Sequence, residues 1–371
     1  MSDQPRQSIR RPVRRADADD LILLMLLSFA ASVVATRVFL QLTGFPKLGG
    51  GDSGLHIAHV LWGGLALFAG TLLPLIFVNR WVYPATAIFS GVGVGLFIDE
   101  VGKFITENND YFYPAAAPLI YGFFLLTVLL YFQVRRRRVT DTRSELYYAL
   151  AELTETIDRD LDTVEAAHIQ QRLIVVRNNA AYPEQAQLAK ELLDYLRSDQ
   201  VRIFEHRANW LERQSNRFKK FEALYINRII HRAILIVGTL IFGLLALYDP
   251  MRVIAMVQNS ADPAAPLLNF NLIRALDETG WFVLRLALEG AVGALLLASA
   301  GLLIARNDRY GILLGSTGML VYLLTVNLFI LYFDQFTFIL VTVVEFGFYL
   351  GMVRYRRRFL QSPEAAILHH Q

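Results

Sequence analysis

Ionisable and amide side chains recur inside long apolar segments of this 371-residue chain. In a bilayer such groups are costly, and they usually face a protein interior or a water-filled cavity. At a helical rise of ~1.5 Å per residue, all of them except His231 fall within roughly 15 Å of one membrane surface. The pattern predicts a polar network, or a cavity, at one depth. The candidate substrate or proton site residues are Arg37, His56, His59, Asp99, Glu100, Lys103, Arg285, Glu289, Asn327 and Glu345.

The first half of the chain holds the densest group. His56 and His59 share a helix face because they are three residues apart. Lys103 follows Asp99 by four positions and Glu100 by three, a spacing typical of ion pairs within a helix. If the two segments converge, His56, His59, Asp99 and Glu100 could bind zinc or another divalent metal, or relay protons. Ion pairing with nearby arginine and lysine is the competing interpretation.

In the second half, Arg285 and Glu289 are four residues apart, which predicts an ion pair. Glu345 has no cation at such a spacing on its own segment. We therefore expect it either to pair across helices, with Arg37, Lys103 or Arg285, or to carry a proton.

Composition identifies the class of protein that positions these residues. Hydrophobic residues make up 54% of the chain and charged residues 19%, with a mean hydropathy of +0.38, which excludes disorder and an ordinary water-soluble globule. The absence of cysteine excludes disulfides, thiolate metal sites and cysteine nucleophiles. No soluble segment carries a phosphate-binding loop, and we expect no nucleic-acid partner.

A membrane-spanning helix needs about 20 predominantly apolar residues. The sequence predicts an all-α, polytopic integral membrane protein with about eight such helices, arranged as four plus four with a possible tandem repeat. The predicted spans are 20–42, 55–78, 83–106, 112–134, 227–248, 281–305, 310–332 and 336–355.

Arginine and lysine distribution sets the expected orientation. Basic residues cluster before the first span and after the second, fourth, sixth and eighth spans. By the positive-inside rule, this places both termini in the cytoplasm and the polar residues in the outer leaflet of the plasma membrane, the inner membrane of a bacterial cell. The first span is too long for a signal peptide and lacks a clean cleavage site, so we expect an uncleaved helix.

Residues 135–226 form a polar, helix-favouring insertion between the two halves. Two interpretations remain open: a long antiparallel hairpin of coiled-coil type, or a compact bundle of about four shorter helices, which we favour. Asp162 with Glu165 has the spacing of a capping box, and Pro183 has the position expected at a helix start. The insertion could mediate homo-oligomerisation or act as a regulatory domain.

The predicted organisation comprises a basic N-terminal segment (1–19), a four-helix half (20–134), the cytoplasmic insertion (135–226), a second four-helix half (227–358) and a cytoplasmic tail (359–371). Three functions fit a chain embedded in lipid. The favoured one is a transporter or an ion- or proton-coupled membrane protein. The alternatives are an intramembrane metal-dependent hydrolase of a lipid-like substrate, with a metal-bound water as nucleophile, and a membrane anchor for the insertion.

Overall fold

The computed structural model describes residues 12–44, 58–111, 113–136, 141–158, 161–198, 201–205, 210–259, 279–334 and 339–360. Over these ranges the regular structure is helical, apart from an isolated bridge between Asp162 and Phe204. The predicted all-α class is therefore confirmed. The chain divides into two compact units: Met1–Leu23 with Leu130–Lys220, called the insertion unit below, and Leu24–Leu129 with Phe221–Gln371, called the main unit.

Long apolar helices dominate the first part of the chain. Their mean hydropathy is high because leucine, valine, alanine and phenylalanine fill nearly every position, with little separation into polar and apolar faces. The helices are α1 (Ala18–Thr43), α2 (His59–Ile76), α3 (Val82–Ile98), α4 (Val101–Ile105) and α5 (Ala116–Arg135).

The insertion unit contains short helices, as in the compact alternative, with no 40-residue arm among its described residues. Asp162 and Glu165 form the predicted capping box, and Pro183 begins a helix as predicted. The helices are α6 (Thr142–Leu153), α7 (Glu155–Asp158), α8 (Thr163–Asn179) and α9 (Pro183–Leu196). Apolar side chains from α6, α8 and α9, together with Leu161 just before α8, form one buried core, which includes Ile169 and Leu193.

The second apolar part follows an amphipathic helix. It includes a π-helical turn, Tyr322–Val326, between two α-helices. The helices are α10 (Trp210–Tyr225), α11 (Arg228–Gln258), α12 (Thr279–Ile304), α13 (Asp308–Val321), α14 (Asn327–Asp334) and α15 (Ile339–Phe359).

Among the described residues, six helical stretches are long and apolar enough to cross a membrane: α1, α2, α5, α11, α12 and the continuous stretch Asp308–Phe333. Helix α3 is apolar but shorter, and it continues into α4 after a turn at Asp99 and Glu100. Many large apolar side chains on these helices are exposed, as expected where the surroundings are lipid. The chain is thus a multi-pass helical membrane protein.

Glycine contacts bring the first three helices close together. A Cβ atom at Gly91 of α3 would overlap the carbonyl oxygen of Met25 in α1. On the other side of α3, a Cβ at Gly93 would lie 2.8 Å from the carbonyl oxygen of Gly63 in α2. Small residues permit this backbone approach, so α3 packs tightly against both neighbours.

The two apolar parts contact each other within the main unit. Phe29 and Val33 of α1 pack with Ile120 of α5 and Leu331 of α14. The hydroxyl of Tyr121 donates a hydrogen bond to the carbonyl oxygen of Leu323, in the π-helical turn, over 2.7 Å. Helix α5 therefore contacts the second half's irregular turn directly, and α1 packs near the helix that follows it.

Candidate functional site

The close packing of α1, α2 and α3 brings the first-half polar residues together. Asp99 and Glu100 occupy the turn between α3 and α4, where the chain leaves the glycine-rich stretch. Both carboxylates are almost completely buried. Buried carboxylates require cations or hydrogen-bond donors, and the neighbouring helices supply them.

Asp99 is bonded through both carboxylate oxygens. The guanidinium of Arg37 donates from Nε to Oδ1 over 2.6 Å and from Nη2 to the Asp99 carbonyl oxygen over 3.0 Å. The second oxygen, Oδ2, lies 3.0 Å from Nε2 of His59 and accepts a 2.8 Å hydrogen bond from the hydroxyl of Tyr111. One carboxylate thus joins α1, α2, α3 and the segment before α5.

Glu100 binds the start of α2. Its Oε1 lies 2.6 Å from Nζ of Lys103 and 3.5 Å from Nδ1 of His59. Its Oε2 accepts a hydrogen bond from the backbone N–H of Val60 over 3.1 Å. A carboxylate is favourable at a helix N-terminus, where backbone N–H groups lack intrahelical acceptors. We call Arg37, His59, Asp99, Glu100, Lys103 and Tyr111 the aspartate network.

Tyr111 is a member of this network that the sequence did not single out. The guanidinium carbon of Arg37 lies 4.5 Å from its ring centroid, and Nζ of Lys103 lies 5.2 Å from it. The one feature of the sequence that could have indicated Tyr111 is the polar segment Asn108-Asn-Asp-Tyr111, in which it is the last residue. Aromatic residues at the ends of spans are usually expected to lie at the membrane–water interface. That expectation gave no reason to predict a hydrogen bond between Tyr111 and Asp99.

The metal interpretation finds little support in this geometry. Among the described residues, no group of three or more histidine, aspartate or glutamate side chains has an arrangement that could hold a metal ion. His56, the fourth predicted ligand, lies outside the described residues. The oxygens of Asp99 and Glu100 already contact Arg37, Lys103 and other donors, which a metal ion would have to displace.

In the second half, the predicted pair between Arg285 and Glu289 is present on α12. Nε of Arg285 donates to Oε1 of Glu289 over 2.8 Å, and both side chains are buried. Nη2 of Arg285 also lies 3.6 Å from Oδ2 of Asp249 in α11. The pair therefore extends to the neighbouring helix through a carboxylate that the sequence did not single out.

Glu345 has a different environment. It is 3% exposed, and its Oε2 accepts a 2.7 Å hydrogen bond from Nδ2 of Asn327 in α14. Over the part of the chain that the structure describes, no basic side chain lies within salt-bridge distance of Glu345. Its three predicted cation partners bind Asp99, Glu100 and Glu289 instead.

The Asn327–Glu345 contact, called the glutamate pair below, adjoins the π-helical turn. Asn327 is the first residue after that turn. π-Helical turns widen a helix locally and are frequent at functional sites. Thr342 also lies near the amide, with its Oγ1 3.5 Å from Nδ2 of Asn327. The pair thus joins α14 and α15 at a place where the backbone is irregular.

A further cluster joins the first residues of α11 and α13 to the end of α15. Asp308 accepts hydrogen bonds from Nη2 of Arg228 over 2.8 Å and from the hydroxyl of Tyr355 over 2.7 Å. Nη1 of Arg232 lies 3.7 Å from its other oxygen. The ring of His231, a residue the sequence placed near the inner face, contacts Tyr355 edge-on at 5.2 Å. The sequence did not identify Asp308 or Tyr355 as candidates. Both lie close to arginines at the ends of predicted spans, and such arginines were used to predict orientation in the membrane.

The chain matches no protein-family model, no curated protein and no solved structure.

Proposed function

We propose that this protein is a proton-coupled transporter of the plasma membrane, in which Glu345 takes up and releases a proton during the transport cycle. The proposal includes eight spans in two four-helix halves, both termini and residues 135–226 in the cytoplasm, and polar networks opening toward the outer leaflet. The buried position of Glu345 beside an amide, with no cation at salt-bridge distance among the described residues, is the observation that carries it.

The chemistry of the glutamate pair supports this role. A carboxylate buried without a cation is expensive, whereas its neutral form needs only hydrogen-bond partners. The amide of Asn327 offers both a donor and an acceptor, so it can bond to Glu345 in either protonation state. Among the described residues, the hydroxyls of Tyr121 and Tyr322 interact electrostatically with Glu345. A carboxyl with such surroundings can change its charge without losing its hydrogen bond to Asn327.

The contacts of His59 support the hydrolase alternative less well than the glutamate pair supports the transporter. Both of its imidazole nitrogens face carboxylates, at 3.0 Å from Asp99 and 3.5 Å from Glu100. That alternative is metal-dependent, and a histidine that binds a metal must direct one ring nitrogen at it, so one of these contacts would have to be released. A simple anchor, in turn, gains nothing from a costly buried carboxyl such as Glu345.

Infrared spectroscopy of the reconstituted protein tests the proposal without a known substrate. We expect a carbonyl band of a protonated carboxylic acid that disappears as the pH rises. The band should be absent from Glu345→Gln and present in Glu107→Gln, a control that makes the same change at an exposed position. Tryptophan fluorescence should shift over the same pH range in the wild type and in Glu107→Gln but not in Glu345→Gln, because protonation is coupled to a change of conformation. Identical titrations of the wild type and Glu345→Gln would refute the proposal.

A further inference from the structure

Helix α10, which precedes the first long helix of the second half, has two chemically different faces. Successive residues of an α-helix are rotated by about 100°, and this spacing gathers its aromatic and aliphatic residues into one arc. The large apolar residues on this side are Trp210, Leu211, Phe218, Phe221, Leu224 and Tyr225. The remaining positions include four cations, Arg213, Arg217, Lys219 and Lys220, against two carboxylates. This combination is typical of helices that lie in a membrane interface.

The connection to α11 changes the direction of the chain. Asn227 is extended, with φ −77° and ψ 173°, and its side chain caps α11 by accepting a hydrogen bond from the N–H of Ile230. Helix α10 ends at Tyr225, so only two residues separate it from a membrane-spanning helix. Its C-terminal end must therefore lie close to the membrane surface.

An ion-pair clasp holds this end of α10. Nε of Arg354, near the end of α15, donates to Oε1 of Glu222 over 2.6 Å, and its Nη2 bonds to the other oxygen. Nη1 of Arg358 lies 3.3 Å from Oε1 of Glu222. The clasp uses Glu222, and three cations of the helix, Arg213, Arg217 and Lys220, are exposed.

We propose that α10 lies along the cytoplasmic membrane surface, with its apolar face in the acyl-chain boundary and its cations on anionic phospholipid headgroups. Leu224 and Tyr225 are 78% and 63% exposed, although they adjoin a membrane span. Lipid covers such side chains without requiring a protein groove of matching shape. The basic residues at the end of α15, Arg356 and Arg357, are exposed as well and extend the positive surface.

The lack of cysteine in the chain makes spin labelling a direct test. Single cysteines at Leu211 and Phe218 probe the apolar face, and cysteines at Asn216 and Ala223 probe the opposite face. In full-length protein reconstituted in phosphatidylcholine vesicles containing phosphatidylglycerol, labels at 211 and 218 should collide with oxygen several-fold more than with a water-soluble nickel complex. Labels at 216 and 223 should show the reverse.

A charge-neutralising variant tests the headgroup contact. In the wild type, we expect phosphatidylglycerol to move the label at residue 218 deeper into the membrane. The variant Arg213→Gln/Arg217→Gln/Lys220→Gln should not show this shift. Its label should have the depth that the wild-type label has in phosphatidylcholine alone. The control Arg177→Gln/Lys190→Gln/Arg197→Gln removes three exposed cations from the insertion unit and should retain the lipid response.

Two results would overturn the inference. If labels at 211 and 218 are shielded from both oxygen and nickel, the apolar face packs against protein. If all four positions contact nickel equally, α10 stands in water. Both results would leave the proposal for Glu345 unaffected, because that experiment probes a different carboxyl.

Discussion

The aspartate network and the glutamate pair bury carboxylates in opposite ways. Asp99 contacts Arg37, His59 and Tyr111, and Glu100 contacts Lys103, so each carboxylate has a cation within 2.6 Å. Glu345 has the amide of Asn327. A buried ion pair holds its geometry because losing either member strands the other charge. A carboxyl that bonds to an amide can change its protonation state without that penalty, so we expect the first arrangement to serve structure and the second to serve proton exchange.

Removing the central carboxylate of the aspartate network should have the largest effect. Asp99→Asn leaves Arg37 buried without its carboxylate, and we expect it to reduce the free energy of unfolding by about 3–5 kcal/mol. Thermal unfolding in detergent measures this loss. Glu107→Gln, at an exposed position just beyond the end of α4, should change little. An Asp99→Asn variant as stable as this control would show that the network does not hold α1 against α3.

Gly91→Ala tests whether close helix packing positions the aspartate network. The added methyl group would overlap the backbone of α1 at Met25. We expect a loss of about 1–3 kcal/mol, as is usual for overpacking. At Gly64 a Cβ atom meets nothing within 4 Å, so Gly64→Ala is the matched control and should be neutral or stabilising. Equal stability of the two variants would contradict the observed α1–α3 contact.

Glu345→Gln should have a smaller effect on stability than Asp99→Asn. The glutamine can still accept the hydrogen bond from Asn327, and no cation is stranded among the described residues. We expect a change below about 1 kcal/mol in the same unfolding assay. Early unfolding of Glu345→Gln would mean that the carboxylate form supports the fold. Glu345 would then have a structural role like that of Asp99.

The smallest expected effect concerns acid sensitivity at the end of α10. The hydrogen bond from Arg354 lowers the pKa of Glu222 below its ordinary value of 4.5. A lowered pKa contributes stability above pH 4.5, and that contribution is lost as the pH falls through the lowered pKa. A spin label at Leu224→Cys should therefore become more mobile in that acidic range. The same label in Glu222→Gln should be mobile at every pH, whereas Glu184→Gln should behave like the wild type.

The polar networks show where a single sequence becomes ambiguous. The spacing of Arg285 and Glu289 predicted their ion pair, because both residues lie on one helix and α-helical geometry is fixed. Glu345 had three possible cations from other helices, and spacing along the chain could not choose among them. Packing decided: Arg37 and Lys103 are held at the α3–α4 turn, and Arg285 stays with Glu289 and Asp249.

The order of residues along the chain was enough to predict the all-α class, the long apolar helices, the capping box at Asp162 and the helix start at Pro183. These features depend on residues a few positions apart, so local physical chemistry is sufficient. Folding in three dimensions placed Tyr111 on Asp99, Asp308 beside Tyr355 and Glu222 between Arg354 and Arg358. Those contacts join residues up to 136 positions apart, and they exist because glycine contacts and apolar packing bring separate helices together.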